Sequence, residues 1–284
     1  MNSFFIKKII PDMFYIQLMY FYHKRKFVNF TNPRTFSEKQ QWMKLYNRKS
    51  EYTIMADKFL VRDYIKEKLG EEYLIPLVGG PWSSVDDIDL LTLPEQFVLK
   101  CSNGHGVEIC ADKDQFNSEF AKTRLKNSMK NNLFWYSREW PYKNSKSVII
   151  AEEYMQGDMI DYKFYCFNGI PKYLFIVTNR FTNDGPYGDF FDMEGNHLAA
   201  KDTDFPNNPY GYPLLPQSFE DMKKIAQVLS EGIPFVRIDL YEQNNKPIFG
   251  EITFFDSAGF SNFDPPEFDI ELGKLIYLPT KKHL

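Results

Sequence analysis

Arg237-Ile-Asp239-Leu-Tyr241 and, after a short polar turn, Phe249-Gly-Glu251-Ile-Thr253 hold the residue types best suited to chemistry. In the first stretch Val236, Ile238 and Leu240 alternate with Arg237, Asp239 and Tyr241, the period of a strand with one apolar and one polar face. Glu251 and Thr253 share a face of the second stretch, with Ile248, Gly250 and Ile252 opposite. The turn Gln243-Asn244-Asn245-Lys246 predicts a hairpin. A pairing centred on it is expected to put Asp239 and Glu251 on the same face of neighbouring strands, with Arg237 beside them. Two carboxylates and a guanidinium on one sheet surface can hold a divalent cation against a phosphate, as a magnesium–nucleotide site does. A solvated polar face gives the same pattern, and the hairpin alone does not separate the two.

Three further places carry usable groups. Phe97-Val98-Leu99-Lys100 predicts a strand that delivers Lys100 into the turn Asn103-Gly104-His105-Gly106, where backbone amides and an ammonium can cradle phosphate oxygens. An ordinary hairpin turn reads the same way. Glu152-Glu153-Tyr154-Met155 follows a predicted strand and offers its backbone edge to an adenine ring, or is simply an acidic strand end. Asp161 and Lys163 share one face of the next strand, spaced for a ribose hydroxyl and a phosphate, or for a surface ion pair worth little.

The elements that must position these groups alternate between helix and strand patterns. A helix is expected from Ser37, with Gln40 completing a capping box and Trp42, Leu45 and Tyr46 at helical spacing. Another is expected from about Asp57 to Leu69, stopped by Gly70. Leu74–Val78, Phe97–Lys100, Val107–Cys110, Val148–Ala151 and Tyr162–Phe167 read as extended, and the polar stretch 114–130 as helical. Residues 179–216, rich in Gly, Pro, Asn and Asp, read as a long loop able to act as a lid. Met222, Ile225, Ala226 and Leu229 mark an amphipathic helix ending before Gly232. The class is α+β, without repeats or low-complexity segments.

At 284 residues, with 43% hydrophobic and 25% charged residues, the chain is long enough for a large core in one or two domains. A net charge of -4 speaks against general nucleic-acid binding, which uses a basic surplus. Cys101, Cys110 and Cys166 lack CxxC spacing, and four histidines offer no zinc pattern, so reduced thiols in a cytoplasmic protein are expected. Residues 1–28 are aromatic and basic, with Asp12 the single acid. Their apolar run is too short to span a bilayer, and no small-residue cleavage site follows it. Two readings stand: a helix packed on the body, which is preferred, or an amphipathic anchor on the inner face of an anionic membrane.

Taken in order, ADKFLVRDYI, FVLKCSNGHG, EEYM, DYKFYCFNG, FVRIDLY and FGEITFFDSAGF resemble the TupA-like branch of the ATP-grasp superfamily, associated with teichuronopeptide and surface-polysaccharide synthesis. The resemblance covers roughly residues 30–278. It implies an ATP-grasp fold whose two α+β subdomains close on Mg-ATP: a helical region over 1–56, a small subdomain with the phosphate loop over 57–151, and a C-terminal subdomain with the magnesium site over 152–284. It implies that Lys58 and Lys100 grip phosphates, that the turn with Gly104 and Gly106 is the phosphate loop, and that Glu152, Glu153 and Met155 line the adenine pocket. Asp161, with Lys163 beside it, would meet the ribose; Asp239 and Glu251 would hold magnesium; Arg237 would stabilise the transferring phosphoryl group. Ser257 and Gly259 would meet the substrate carboxylate. Thr253 stands where many members carry asparagine, and a hydroxyl is the weaker metal ligand, which leaves one or two magnesium ions open. The implied activity is a carboxylate–amine ligase acting through an acyl phosphate on small-molecule or glycan carboxylates and amino acids. A kinase on the same fold, and a non-catalytic nucleotide-binding scaffold, are the competing readings.

Overall fold

The computed structural model describes residues 7–157, 159–180, 182 and 185–280. In chain order its main elements begin with α1 (Asp12–Lys24), α2 (Phe36–Tyr46), α3 (Glu51–Ala56), α4 (Val61–Lys68), β1 (Leu77–Trp82), β2 (Phe97–Cys101), β3 (Val107–Cys110), α5 (Ser118–Lys130) and β4 (Ile149–Glu153). They continue with β5 (Asp161–Phe167), β6 (Ile170–Thr178), β7 (Tyr187–Asp192), β8 (Lys201–Asp202), α6 (Phe219–Ser230), β9 (Phe235–Gln243), β10 (Lys246–Thr253), β11 (Phe263–Asp264) and α7 (Glu267–Leu275).

Two compact units result. One gathers α1, α2, β5 to β11, α6 and α7; the other holds α3, α4, β1 to β4 and α5. Strand β4 runs through the expected boundary at 151/152, because its pairing with β1 and β2 ties Glu152 and Glu153 to that second unit.

The second unit is built on an antiparallel sheet of order β1-β4-β2-β3. Alternation in β2 sends Phe97, Leu99 and Cys101 inward, where Ile149 and Ala151 of β4 and Leu125 of α5 close the core. Asn117 caps α5 by accepting from the Phe120 amide at 3.0 Å.

The first unit carries an antiparallel sheet of order β10-β9-β5-β6-β7. Its faces divide by strand parity. Even positions of β5 meet α6, with Phe164 stacked on Phe219 at 6.1 Å and Cys166 against Ala226. Odd positions run from aromatic to charged along the strand: Phe167 and Tyr165, then Lys163 and Asp161. On β9, Phe235, Arg237 and Asp239 sit opposite Phe167, Tyr165 and Lys163. Phe36 of α2 plugs the aromatic end, touching Phe235 at 4.6 Å and Phe263 at 6.1 Å. Burial of such rings, each worth about 2–3 kcal/mol, explains the aromatic-rich composition.

Three local expectations are corrected. The α2 capping box is Thr35 with Glu38, not Ser37 with Gln40: Thr35 Oγ1 accepts from the Glu38 amide at 3.2 Å, and Glu38 returns the bond to the Thr35 amide. The helix expected from Asp57 starts only at Val61 as α4, because the Asp57 carboxylate accepts from the Phe59 and Leu60 amides in the turn before it, and α3 is a separate helix ending at Ala56. The expected loop at 179–216 contains β7, a buried edge strand of the five-stranded sheet, and β8.

Candidate functional site

The β9–β10 hairpin turns through Asn244 and Asn245, both with positive φ (52° and 60°), the backbone of a two-residue type I′ turn. Simple counting from that turn would set Asp239 opposite Gly250. A bulge between Phe249 and Glu251 moves the register by one, so Glu251 pairs with Asp239 and Thr253 with Arg237. Gly250 permits the bulge, since a Cβ there would lie 2.9 Å from the Asp239 carbonyl oxygen.

The polar face formed this way is buried at Asp239, nearly so at Arg237, and open to solvent at Glu251. Arg237 clasps Asp239 through two parallel bonds, Nε to Oδ1 at 2.7 Å and Nη2 to Oδ2 at 2.8 Å. Its Nη1 donates to Asp256 Oδ1. Lys163 Nζ lies 2.6 Å from Asp239 Oδ2 and 3.4 Å from Asp161 Oδ2, and Arg180 Nη1 reaches Asp161 at 2.5 Å. Thr253 Oγ1 donates to Glu251 Oε1 at 3.0 Å, and the Glu251 side chain keeps 39% of its surface exposed. Burial by itself would lower the pKa of Arg237, but Asp239 and Asp256 hold it well above the ordinary value. Asp161 acts the same way on Arg180. Burial, with Asp161 and Glu251 nearby, keeps the Tyr241 phenol protonated far above its usual range.

Asp161, Lys163, Arg237, Asp239, Glu251 and Thr253 are thus brought together in the first unit. Asp161 and Lys163 form no surface pair; both are buried. The carboxylate of Asp161 is engaged by Arg180 and Lys163, which sets it with the charged cluster.

Ser257 and Gly259 belong to a turn in which Ser257, Ala258 and Gly259 are all left-handed (φ 45°, 53° and 72°). Two non-glycine residues in that region cost about 1 kcal/mol each. Side chains of α2 hold the turn: Lys44 Nζ donates to the Ala258 carbonyl at 2.6 Å, and Gln41 Nε2 to the Gly259 carbonyl at 2.8 Å. Burial pushes the Lys44 ammonium down to about 8, with Glu139 opposing the shift. Asp256, at the start of the turn, also accepts from Tyr165 at 3.0 Å and Ser261 at 2.6 Å.

The second unit holds the other predicted residues in two groups. Lys58 Nζ donates to the Gly104 carbonyl at 3.1 Å, so Lys58 is the lysine seated on the glycine turn. Lys100 turns instead to Glu152, Nζ to Oε2 at 2.5 Å, and Arg62 reaches the other oxygen of that carboxylate at 3.2 Å. Gly104 takes φ +89°, whereas Gly106 is required for space: a Cβ there would come within 2.6 Å of Ser128 Oγ and 2.7 Å of Cys101 Sγ. The turn is anchored by Asp57, which accepts from Ser102 Oγ at 2.8 Å. Glu153 is exposed with its amide bonded to the Pro76 carbonyl, and Met155 is buried.

Asp256, Arg180 and Arg62 were not singled out from sequence, and Asp57 was read only as a helix start beside Lys58. Each sits in a loop or beside a helix end, where no periodicity marks it. Only Asp256 had a signal, a carboxylate shortly after Glu251 with an unmatched arginine upstream.

The family model described as TupA-like ATPgrasp matches residues 38–277. Among solved structures, D-alanine–D-alanine ligase from Bacillus anthracis complexed with ATP is 16% identical, with 71% of this chain and 55% of that chain covered and a TM-score of 0.39. L-amino acid ligase from Bacillus licheniformis is 15% identical over 80% of this chain and 50% of that one, with a TM-score of 0.48. Biotin carboxylase from Campylobacter jejuni is 12% identical over 80% and 48%, with a TM-score of 0.41. The chain spans about half the length of these proteins. No curated protein matches it.

Proposed function

The chain belongs to the TupA-like ATP-grasp family, and from that premise we propose that it is an ATP-dependent ligase joining a carboxylate to an amine through an acyl phosphate. The fold implies ATP binding. The observation that carries the finer reading is the charged set on β5, β9 and β10, buried at Asp161, Lys163 and Asp239 and open at Glu251, since burying so many charges needs a purpose beyond stability.

The donors fit magnesium. Asp239 and Glu251 are paired across the strands with the Thr253 hydroxyl beside them, an all-oxygen set. Four carboxylates (Asp161, Asp239, Glu251, Asp256) stand against three cations (Lys163, Arg180, Arg237), a formal excess of negative charge. Magnesium is usually held by one or two carboxylates, water and substrate phosphates. Asp239 and Glu251 would hold it, and when bound it offsets the negative charge of the phosphates.

The chain's own groups do the rest. Lys58, Lys100 and the amides around Gly104 and Gly106 hold phosphate oxygens, while Glu152, Glu153 and Met155 border the base. Arg237, kept charged by Asp239 and Asp256, stabilises the phosphoryl group as it passes from ATP to a carboxylate oxygen, leaving ADP. The turn at Ser257 and Gly259 orients the acyl phosphate. An amine nitrogen then attacks the acyl carbon, and phosphate departs as the amide forms. The family's association with surface polysaccharide supports a uronic acid or acidic peptide as carboxylate and an amino acid as amine.

The test mixes the protein and Mg-ATP with a panel of uronic acids and amino acids. ADP and phosphate should form only when both partners are present. Glu251→Gln should lower that release about 100-fold, while its half-exposed side chain leaves stability within about 1 kcal/mol. AMP with pyrophosphate, or a stable phosphorylated product without an amide, would overturn the proposal.

A further inference from the structure

We propose that the outer face of α1 and its flanks lies on an anionic lipid surface. The helix is firmly docked on one side: Tyr15, Ile16 and Tyr20 are buried with Val28 and Leu45. Gln17 exchanges bonds with the Val28 backbone at 2.9 and 2.8 Å. Asp12 is engaged by Arg48 at 2.6 Å and Arg138 at 2.9 Å. The opposite side has the reverse character. Ile9, Phe14, Leu18, Tyr22 and Phe27 are each between 59% and 68% exposed, and Phe27 stacks on Phe21 at 5.0 Å. Single exposed apolar residues are common on soluble proteins; a run of this kind along one helix face is a surface made to be covered.

Charge selects what covers it. Exposed Lys8 flanks the apolar row at one end, and exposed Arg25 and Lys26 flank it at the other. The one acid among residues 7–28, Asp12, is committed to Arg48 and Arg138. A cationic, aromatic strip on a chain of net charge -4 is complementary to an anionic headgroup layer, with the rings entering the acyl boundary. Among the described residues no helix is long and apolar enough to cross a membrane, so the strip lies on the surface. The preferred expectation of a helix packed on the body accounts for the inner face of α1 alone.

The experiment is co-sedimentation of the full chain with vesicles of phosphatidylglycerol and phosphatidylcholine, or of phosphatidylcholine alone. The expected result is pelleting with the anionic vesicles only, weakened by salt. The double variants Phe14→Ser with Leu18→Ser, and Arg25→Glu with Lys26→Glu, should each lower partitioning roughly tenfold or more. Unchanged melting temperatures would show that both variants fold. Protein left in the supernatant with both vesicle types would overturn the proposal. So would pelleting that both variants retain, or a self-association lost in the variants without any vesicle binding.

Discussion

Asp202 offers a test of the electrostatics that does not depend on knowing the substrates. It lies on β8, only 3% exposed, with Oδ1 accepting from the Asp204 amide at 2.9 Å. Burial and then the neighbouring Asp256 push its carboxyl up to about 7 from an ordinary 3.8. Because the folded pKa is raised, the native state binds a proton that the unfolded chain releases. The associated stability is fully present below about pH 4 and is lost as pH rises through 7. A displacement of roughly three pH units corresponds to about 4 kcal/mol, of which about 3 kcal/mol falls between pH 5 and 8. Asp202→Asn keeps the shape and the bond from Asp204 but cannot ionise. Urea unfolding of both proteins at pH 5 and pH 8 gives the comparison, with equal m-values required. The variant should gain about 3 kcal/mol on the wild type between the two conditions. Any fixed cost of packing the amide cancels in that difference. A gap that stays constant with pH would refute the reasoning, because it would mean that the carboxylate is charged in the fold throughout.

Two further outcomes follow from the same geometry. Gly250→Ala should destabilise the protein by about 1–3 kcal/mol and lower activity together, since the new methyl meets the Asp239 carbonyl and disturbs the register of Glu251; amide hydrogen exchange in β9 and β10 reads the shift. Lys44, pushed down to about 8 from an ordinary 10.5, adds to stability as pH rises from 8 toward 10, because only the unfolded chain still carries that proton. Burial of Cys166, pushed up to about 12 from 9.0, opposes it over the same range. Lys44→Met removes the lysine's share alone, so the wild type should gain on the variant between pH 7.5 and 9.5 in urea unfolding, the thiol and phenol contributions cancelling in that difference.

The parts legible in sequence were those with a strong local period. The alternation in β9 and the Asn-Asn turn together pointed to the hairpin, while the pairing of Asp239 with Glu251 depends on the bulge at Gly250, which no count from the turn reports. Met222 to Leu229 likewise marked α6. Local chemistry misled where two patterns overlapped: Thr35 with Glu38 and Ser37 with Gln40 both satisfy a capping box, and the entry of Phe36 into the aromatic core selects the former. Strand β7, Tyr-Gly-Asp-Phe-Phe-Asp, has the turn residues of a loop, and only its neighbour β6 makes it a strand. The engagement of Lys163 with Asp239 spans 76 positions, so no spacing rule reports it. Lys100 illustrates the converse: its strand was evident, but the side chain's preference for Glu152 over the glycine turn depends on β4 lying alongside.

The passage from aromatic to charged along one face of β5 and β9 has a mechanical consequence. Phe167 and Tyr165 share a continuous backbone with Lys163 and Asp161, and Phe235 shares one with Arg237 and Asp239. Successive positions on that face are about 6.6 Å apart, and Tyr165 bridges them by its bond to Asp256. The charged groups therefore inherit the stiffness of a close-packed interior, with no hinge between foundation and tool. Loosening the rings should register as lost precision among the charges before the protein unfolds.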